Sequence, residues 1–127
     1  MRLENPRTGE VVEVVSETPD LLVMLVTWPR PGHRAMAHVH PGMGERWEVV
    51  RGRAAFDIDG VFTELDEGAS IVAAAGQRHL AWNPTQSPVV LRIEMRPALR
   101  WTAFVRRLFA GEAPALLLEE FADEVRL

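Results

Sequence analysis

Residues Val89 to Arg96 alternate without a break, with Val89, Leu91, Ile93 and Met95 on one side and Arg92, Glu94 and Arg96 on the other. Only an extended strand with one face buried and one face wet repays a strict period of two. The hundred residues around it are cut into similar short pieces. Thr18-Pro19-Asp20 separates Glu10–Val15 from Leu21–Trp28, and Pro29-Arg30-Pro31-Gly32 follows. Pro41-Gly42-Met43-Gly44 divides His33–His40 from Glu45–Val50, since Pro and two Gly are poor members of a strand ladder. Arg51-Gly52, Asp59-Gly60 and Asp66-Glu67-Gly68 then bound Arg53–Asp57, Val61–Leu65 and Ala69–Ala75. The Asp-Gly pair is a strong two-residue hairpin signal. Short strands with turns at this spacing predict an all-β sandwich or barrel.

The period changes after Pro97. Trp101, Phe104, Val105, Leu108 and Phe109 recur at helical spacing, with Arg106 and Arg107 opposite, and Gly111 stands where such a helix ends. A second short helix starts at Pro114 and buries Leu117, Phe121 and Val125. We read a barrel over about residues 10–96 and a helical extension over about 98–127, within one domain of 127 residues. The stripe of Trp101, Phe104 and Leu108 is expected to pack on the outer face of the barrel.

Composition removes several kinds of chemistry. No Cys is present, which excludes a disulfide framework, a thiolate ligand and a cysteine nucleophile. No Lys is present, which excludes Schiff-base catalysis and a phosphate loop built on Lys. A net charge of −4 argues against nucleic acid held through its phosphates. The longest apolar run, Leu21–Trp28, is far shorter than the ~20 residues of a membrane span. Met1–Pro6 has no apolar signal core, so a cytoplasmic location is expected, with neither membrane nor nucleic acid as partner.

Of the four histidines, three fall into a pattern. His38 and His40 are two apart, so on a strand both side chains leave the same face, their Cα atoms about 6.6 Å apart. Two imidazoles at that spacing can meet one ion. Glu45 stands at an odd separation from His40, but the break at Pro41–Gly44 lets it start a new strand and point back inward. His79 follows Gly68 and Gly76, and a barrel can bring it across to the other three. His33 matches no ligand position and reads as an ordinary loop residue. Trp47 shares strand parity with Glu45 and is a candidate pocket wall; Phe56, Met36 and Gln77 are further candidates. For Met36 and Phe56, as for Ile58 and Met95, core packing is the simpler reading.

The run Gly32-x5-His38-x-His40-x4-Glu45-x6-Gly52 resembles the first motif of the cupin superfamily. Gly68-x5-Ala74-x-Gly76-x2-His79-x3-Asn83 resembles the second. The one departure is Ala74, where the family usually carries Pro; the position shapes a turn, so a slightly looser loop and no lost ligand are expected. The fifteen residues between Gly52 and Gly68 are similar to the shortest spacing of microbial single-domain cupins.

The resemblance implies a double-stranded β-helix (jelly-roll) barrel. It implies one divalent transition metal held by His38, His40, Glu45 and His79: Fe, Mn or Ni, with Zn as a quieter possibility. It also implies a homodimer and a small-molecule ligand or substrate. The expected activity is that of a dioxygenase-like oxidoreductase on a small oxygen-bearing molecule, with Glu45 also serving as catalytic base. The alternatives are a metal-dependent isomerase or decarboxylase, or a binding or sensing module without turnover. A metal-free sugar epimerase of the superfamily would need a catalytic Tyr, and this chain has none.

Overall fold

A computed structural model describes residues 1–32 and 35–127. The turn residues end strands close to where they are expected to. The strands are β1 (Arg2–Glu4), β2 (Val11–Glu17), β3 (Leu22–Trp28), β4 (His38–Val39), β5 (Gly44–Arg51), β6 (Ala54–Ile58), β7 (Val61–Leu65), β8 (Ser70–Ala73), β9 (Arg78–Trp82) and β10 (Val89–Arg96). Two helices follow, α1 (Trp101–Phe109) and α2 (Pro114–Glu120). Among the described residues, the strand expected over His33–His40 is present only as β4; His33 and Arg34 lie outside them.

The strands form two antiparallel sheets. One has the order β1-β2-β3-β10-β5-β8 and the other β4-β9-β6-β7. Between the sheets, the alternating faces meet as the core. Val89, Leu91, Ile93 and Met95 of β10 are all buried, beside Leu22, Met24 and Val26 of β3 and Trp47 and Val49 of β5. Gly52 shows how tightly the β5–β6 corner is drawn. Its φ is +85°, and a Cβ there would stand 2.9 Å from the Pro88 carbonyl oxygen, so only Gly fits.

Two features place the site. In the β4–β9 pair His38 is directly opposite His79. At the end of β10, Arg96 is paired with Gly44, one residue from Glu45, so the chain leaves the sheet at the end where these side chains gather. This corrects the expectation for α1: Trp101, Leu108 and Phe109 line the cavity above that end, and the helix does not pack on the outer face. On its other side Phe104 meets Phe121 edge-on at 5.5 Å between ring centres. Leu117, Phe121 and Val125 are buried as their spacing predicts.

Candidate metal centre

One ring nitrogen from each of His38, His40 and His79 lies within 4.8 Å of the others. β4 supplies His38, the residue after it is His40, and β9 supplies His79. The opposite sheet supplies Glu45 from β5, where alternation turns Glu45, Trp47 and Val49 inward. Glu45 Oε1 is 3.0 Å from His40 Nε2 and 3.3 Å from His79 Nε2.

Each ring is oriented from behind. His38 Nδ1 is 2.6 Å from the Met36 carbonyl, His40 Nδ1 is 2.7 Å from the Glu124 carbonyl, and His79 Nδ1 is 3.2 Å from the Gln77 carbonyl. A carbonyl only accepts, so Nδ1 carries the proton in all three. Each neutral ring then has its lone pair on Nε2. Ligating histidines are commonly oriented by such a bond from the nitrogen that does not bind.

These residues fit a divalent ion. Among the described residues His79 Nε2, buried and 3.3 Å from Glu45 Oε1, makes no hydrogen bond, an arrangement that costs free energy unless something else fills the role. Two donors about 2.1 Å from a common ion and at right angles stand ~3.0 Å apart, which matches the spacing of Glu45 to His40 and His79. A carboxylate 8% exposed also calls for positive charge nearby.

The electrostatics divide the histidines. Burial, with the neighbouring His79 and His40, lowers the His38 pKa to about 4, so its lone pair is available at neutral pH. Burial also disfavours a charged His40. There the Glu45 carboxylate and the Glu124 carbonyl prevail and raise the pKa above the ordinary value. Burial disfavours the Glu45 anion in turn, but His40 and His79 outweigh it and hold the group at about 2.

A pH dependence follows. Without metal, the raised pKa of His40 stabilises the fold below its unfolded value, and that contribution is lost as pH rises through the folded pKa. An ion must displace the His40 proton, so its binding tightens as pH rises. The increase in Tm produced by one equivalent of Co(II) is therefore expected to widen between about pH 6 and pH 8. Thermal unfolding at several pH values measures it, and a gap that narrows over that interval would rule out His40 as a ligand.

Beside the histidines lies a cavity of about 230 Å³. Trp28, Trp47, Ala81, Trp101, Leu108 and Phe109 form its apolar walls, and Asn5, Thr8 and Glu10 a more polar side. Trp47 is edge-on to His79 at 5.1 Å and Trp101 edge-on to His40 at 4.9 Å. Of the predicted wall residues, Trp47 is in place and three are not. Phe56 is fully buried behind Trp47, 5.4 Å away, as part of the core. The Met36 side chain is 71% exposed, and only its carbonyl serves the site. Gln77 turns to the adjacent loop, where its side chain accepts from the Ala74 N–H and donates to Asp59. That bond closes the turn in which Ala74 replaces the usual Pro. Strand parity with His79 points to Ala81, but no local signal places Trp101, Leu108 or Phe109 at the cavity.

The comparisons with known proteins agree with this architecture. Residues 25–95 match the model of the cupin domain. No curated protein matches the chain significantly. Among solved structures, a conserved protein with a double-stranded β-helix domain from Klebsiella pneumoniae is 30% identical, with a TM-score of 0.65 over 76% of this chain and 85% of that one. KdgF from a Halomonas species is 22% identical, with a TM-score of 0.69 over 79% and 89%. A sugar phosphate isomerase of the cupin superfamily from Silicibacter pomeroyi is 20% identical, with a TM-score of 0.63 over 69% and 59%. No helix among the described residues is long and apolar enough to cross a membrane. With its two sheets, its paired motifs and a cupin-domain match over more than half its length, the chain belongs to the cupin family.

Proposed function

We propose that this protein is a metal-dependent enzyme that oxidises a small, uncharged, oxygen-bearing molecule with dioxygen. The observation that carries the reading is the convergence of three histidine nitrogens and the Glu45 carboxylate beside an apolar cavity. His38, His40, His79 and Glu45 would hold the ion. It would supply Lewis acidity and, if redox-active, a path for electrons to dioxygen. Trp47, Trp101 and Leu108 keep water from the reacting groups and present flat apolar surfaces to the substrate. Glu45, released from the ion, would take the proton of a substrate hydroxyl. The anion so formed is cleaved between two oxygenated carbons. Both atoms of dioxygen enter the products and the substrate supplies all four electrons, so no external reductant is consumed.

The Silicibacter pomeroyi neighbour is described as a sugar phosphate isomerase. Among the described residues lining this cavity there is no Arg, and the chain has no Lys, so a phosphate group would meet no cation there. That favours an uncharged substrate. The proposed setting is the cytoplasm, with the protein acting as a homodimer.

An oxygen electrode tests the reaction, using protein loaded with Fe, Mn or Ni and a panel of catechols and other vicinal enediols. One dioxygen consumed per substrate is expected. Glu45→Gln should lower kcat by about 10²–10⁴-fold, the usual contribution of a general base. Ligand-induced stabilisation without oxygen uptake or product, across the panel, would reassign the protein to a binding module.

A further inference from the structure

We propose that Glu124 is a positioning residue for the metal centre, through which the C-terminal segment holds the His40 ring; this rests on the metal reading above. The Glu124 carbonyl accepts from His40 Nδ1 at 2.7 Å, across eighty-four residues of chain. That carbonyl is fixed at both ends. On one side the Glu124 carboxylate, 2% exposed, accepts from Arg100 N and Nε at 3.2 Å and from Arg100 Nη2 at 2.8 Å. On the other, Arg126 and Val39 exchange both backbone hydrogen bonds, at 2.7 and 2.9 Å, which adds the tail to the edge of β4.

The link also runs to the cavity. Arg100 is the N-cap of α1, and the next residue, Trp101, stands edge-on to His40. One buried carboxylate thus sets the start of α1, the aromatic wall and the carbonyl that orients a ligand. Glu124 lies outside residues 25–95, the part that matches the cupin domain. Because coupling is reciprocal, an ion bound at His40 tightens the tail as the tail tightens the ion.

Co(II) titrated into metal-free protein, followed by visible absorption and calorimetry, tests this. Glu124→Ala frees the carbonyl to drift and is expected to weaken Co(II) binding by about tenfold, near the low end for loss of a ligand's orienting partner. Its visible spectrum should change as well. Glu124→Gln keeps an acceptor oxygen for Arg100 and should recover most of the affinity. In the wild type, Co(II) should slow amide exchange at Val125 and Arg126. If Glu124→Ala fails to fold, Arg100→Ala removes the guanidinium bonds of the same link from a half-exposed side chain and leaves the one from Arg100 N, so a smaller weakening in the same direction is expected. A variant that lowers the metal-free Tm but binds Co(II) like the wild type would make Glu124 a helix cap only and overturn the proposal. So would amide exchange indifferent to Co(II). A wild type that takes up no Co(II) would instead refute the metal reading, and this inference with it.

Discussion

His79→Ala is expected to lose its metal and keep its fold. Among the described residues His79 Nε2 is a buried nitrogen without a hydrogen-bond partner, and Glu45 Oε1, 3.3 Å from it, still has His40 Nε2 at 3.0 Å when His79 is gone. The ring is packed against His38, His40 and Trp47, at 4.5, 4.9 and 5.1 Å between centres. Removing it opens a small void next to an existing cavity, at a cost of about 1–2 kcal/mol to the metal-free protein. Metal affinity should fall by more than ~100-fold, because losing a ligand costs more than losing the partner that orients one. Wild-type protein held at a hundred times its Kd gains about 2.7 kcal/mol from the ion, and the variant gains almost none of it. Elemental analysis of both proteins at matched concentration, with thermal unfolding, measures the two effects separately. A variant that retains a full equivalent of metal would remove His79 from the ligand set.

Phe56→Ala should do the opposite. The side chain is fully buried behind Trp47. Truncating a buried Phe costs about 3–5 kcal/mol through lost burial and the cavity left behind. That is a large share of the roughly 5–15 kcal/mol that holds a domain together, and Tm should drop by about 10–20 °C. Co(II) affinity measured well below the transition should fall far less than in His79→Ala, because Phe56 reaches the ligands only through Trp47, which packs on both Phe56 and His79. Unchanged stability with weakened ligand binding would return Phe56 to the cavity wall.

The contrast between these two residues shows what was legible in the chain. Strand boundaries were readable because Pro, Gly and Asp-Gly punctuate them, and because β10 alternates with nothing to interrupt it. The four candidate ligands were readable because two fixed spacings name them. Which apolar residues would face the cavity was not readable. Phe56 has the right parity, but in a small barrel an inward side chain joins either the core or the cavity according to its height along the axis, which parity does not encode. Met36 contributes its carbonyl and not its side chain, and backbone groups leave no mark in residue identity. The placement of α1 is not encoded locally for a similar reason. A helical stripe says that one face is covered, but the end of the barrel it covers depends on where β10 releases the chain. The pairing of the tail with β4 joins distant segments and is invisible to local pattern.

The cavity is assembled from unlike stretches of chain. His38, Glu45 and His79 come from the middle, while Asn5, Thr8 and Glu10 come from the beginning and Trp101, Leu108 and Phe109 from α1. The barrel needs the middle to close its sheets, so substitutions there act on fold and chemistry together. At the two ends the tail also holds His40 through the Glu124 carbonyl, but Asn5, Thr8 and Leu108 reach the cavity from outside the strands and the ligand set. Evolution or an engineer can therefore exchange the groups that choose the substrate while the reactive groups stay where they are. For a barrel of this size, such a division of labour is a direct route to new specificities on an unchanged reaction.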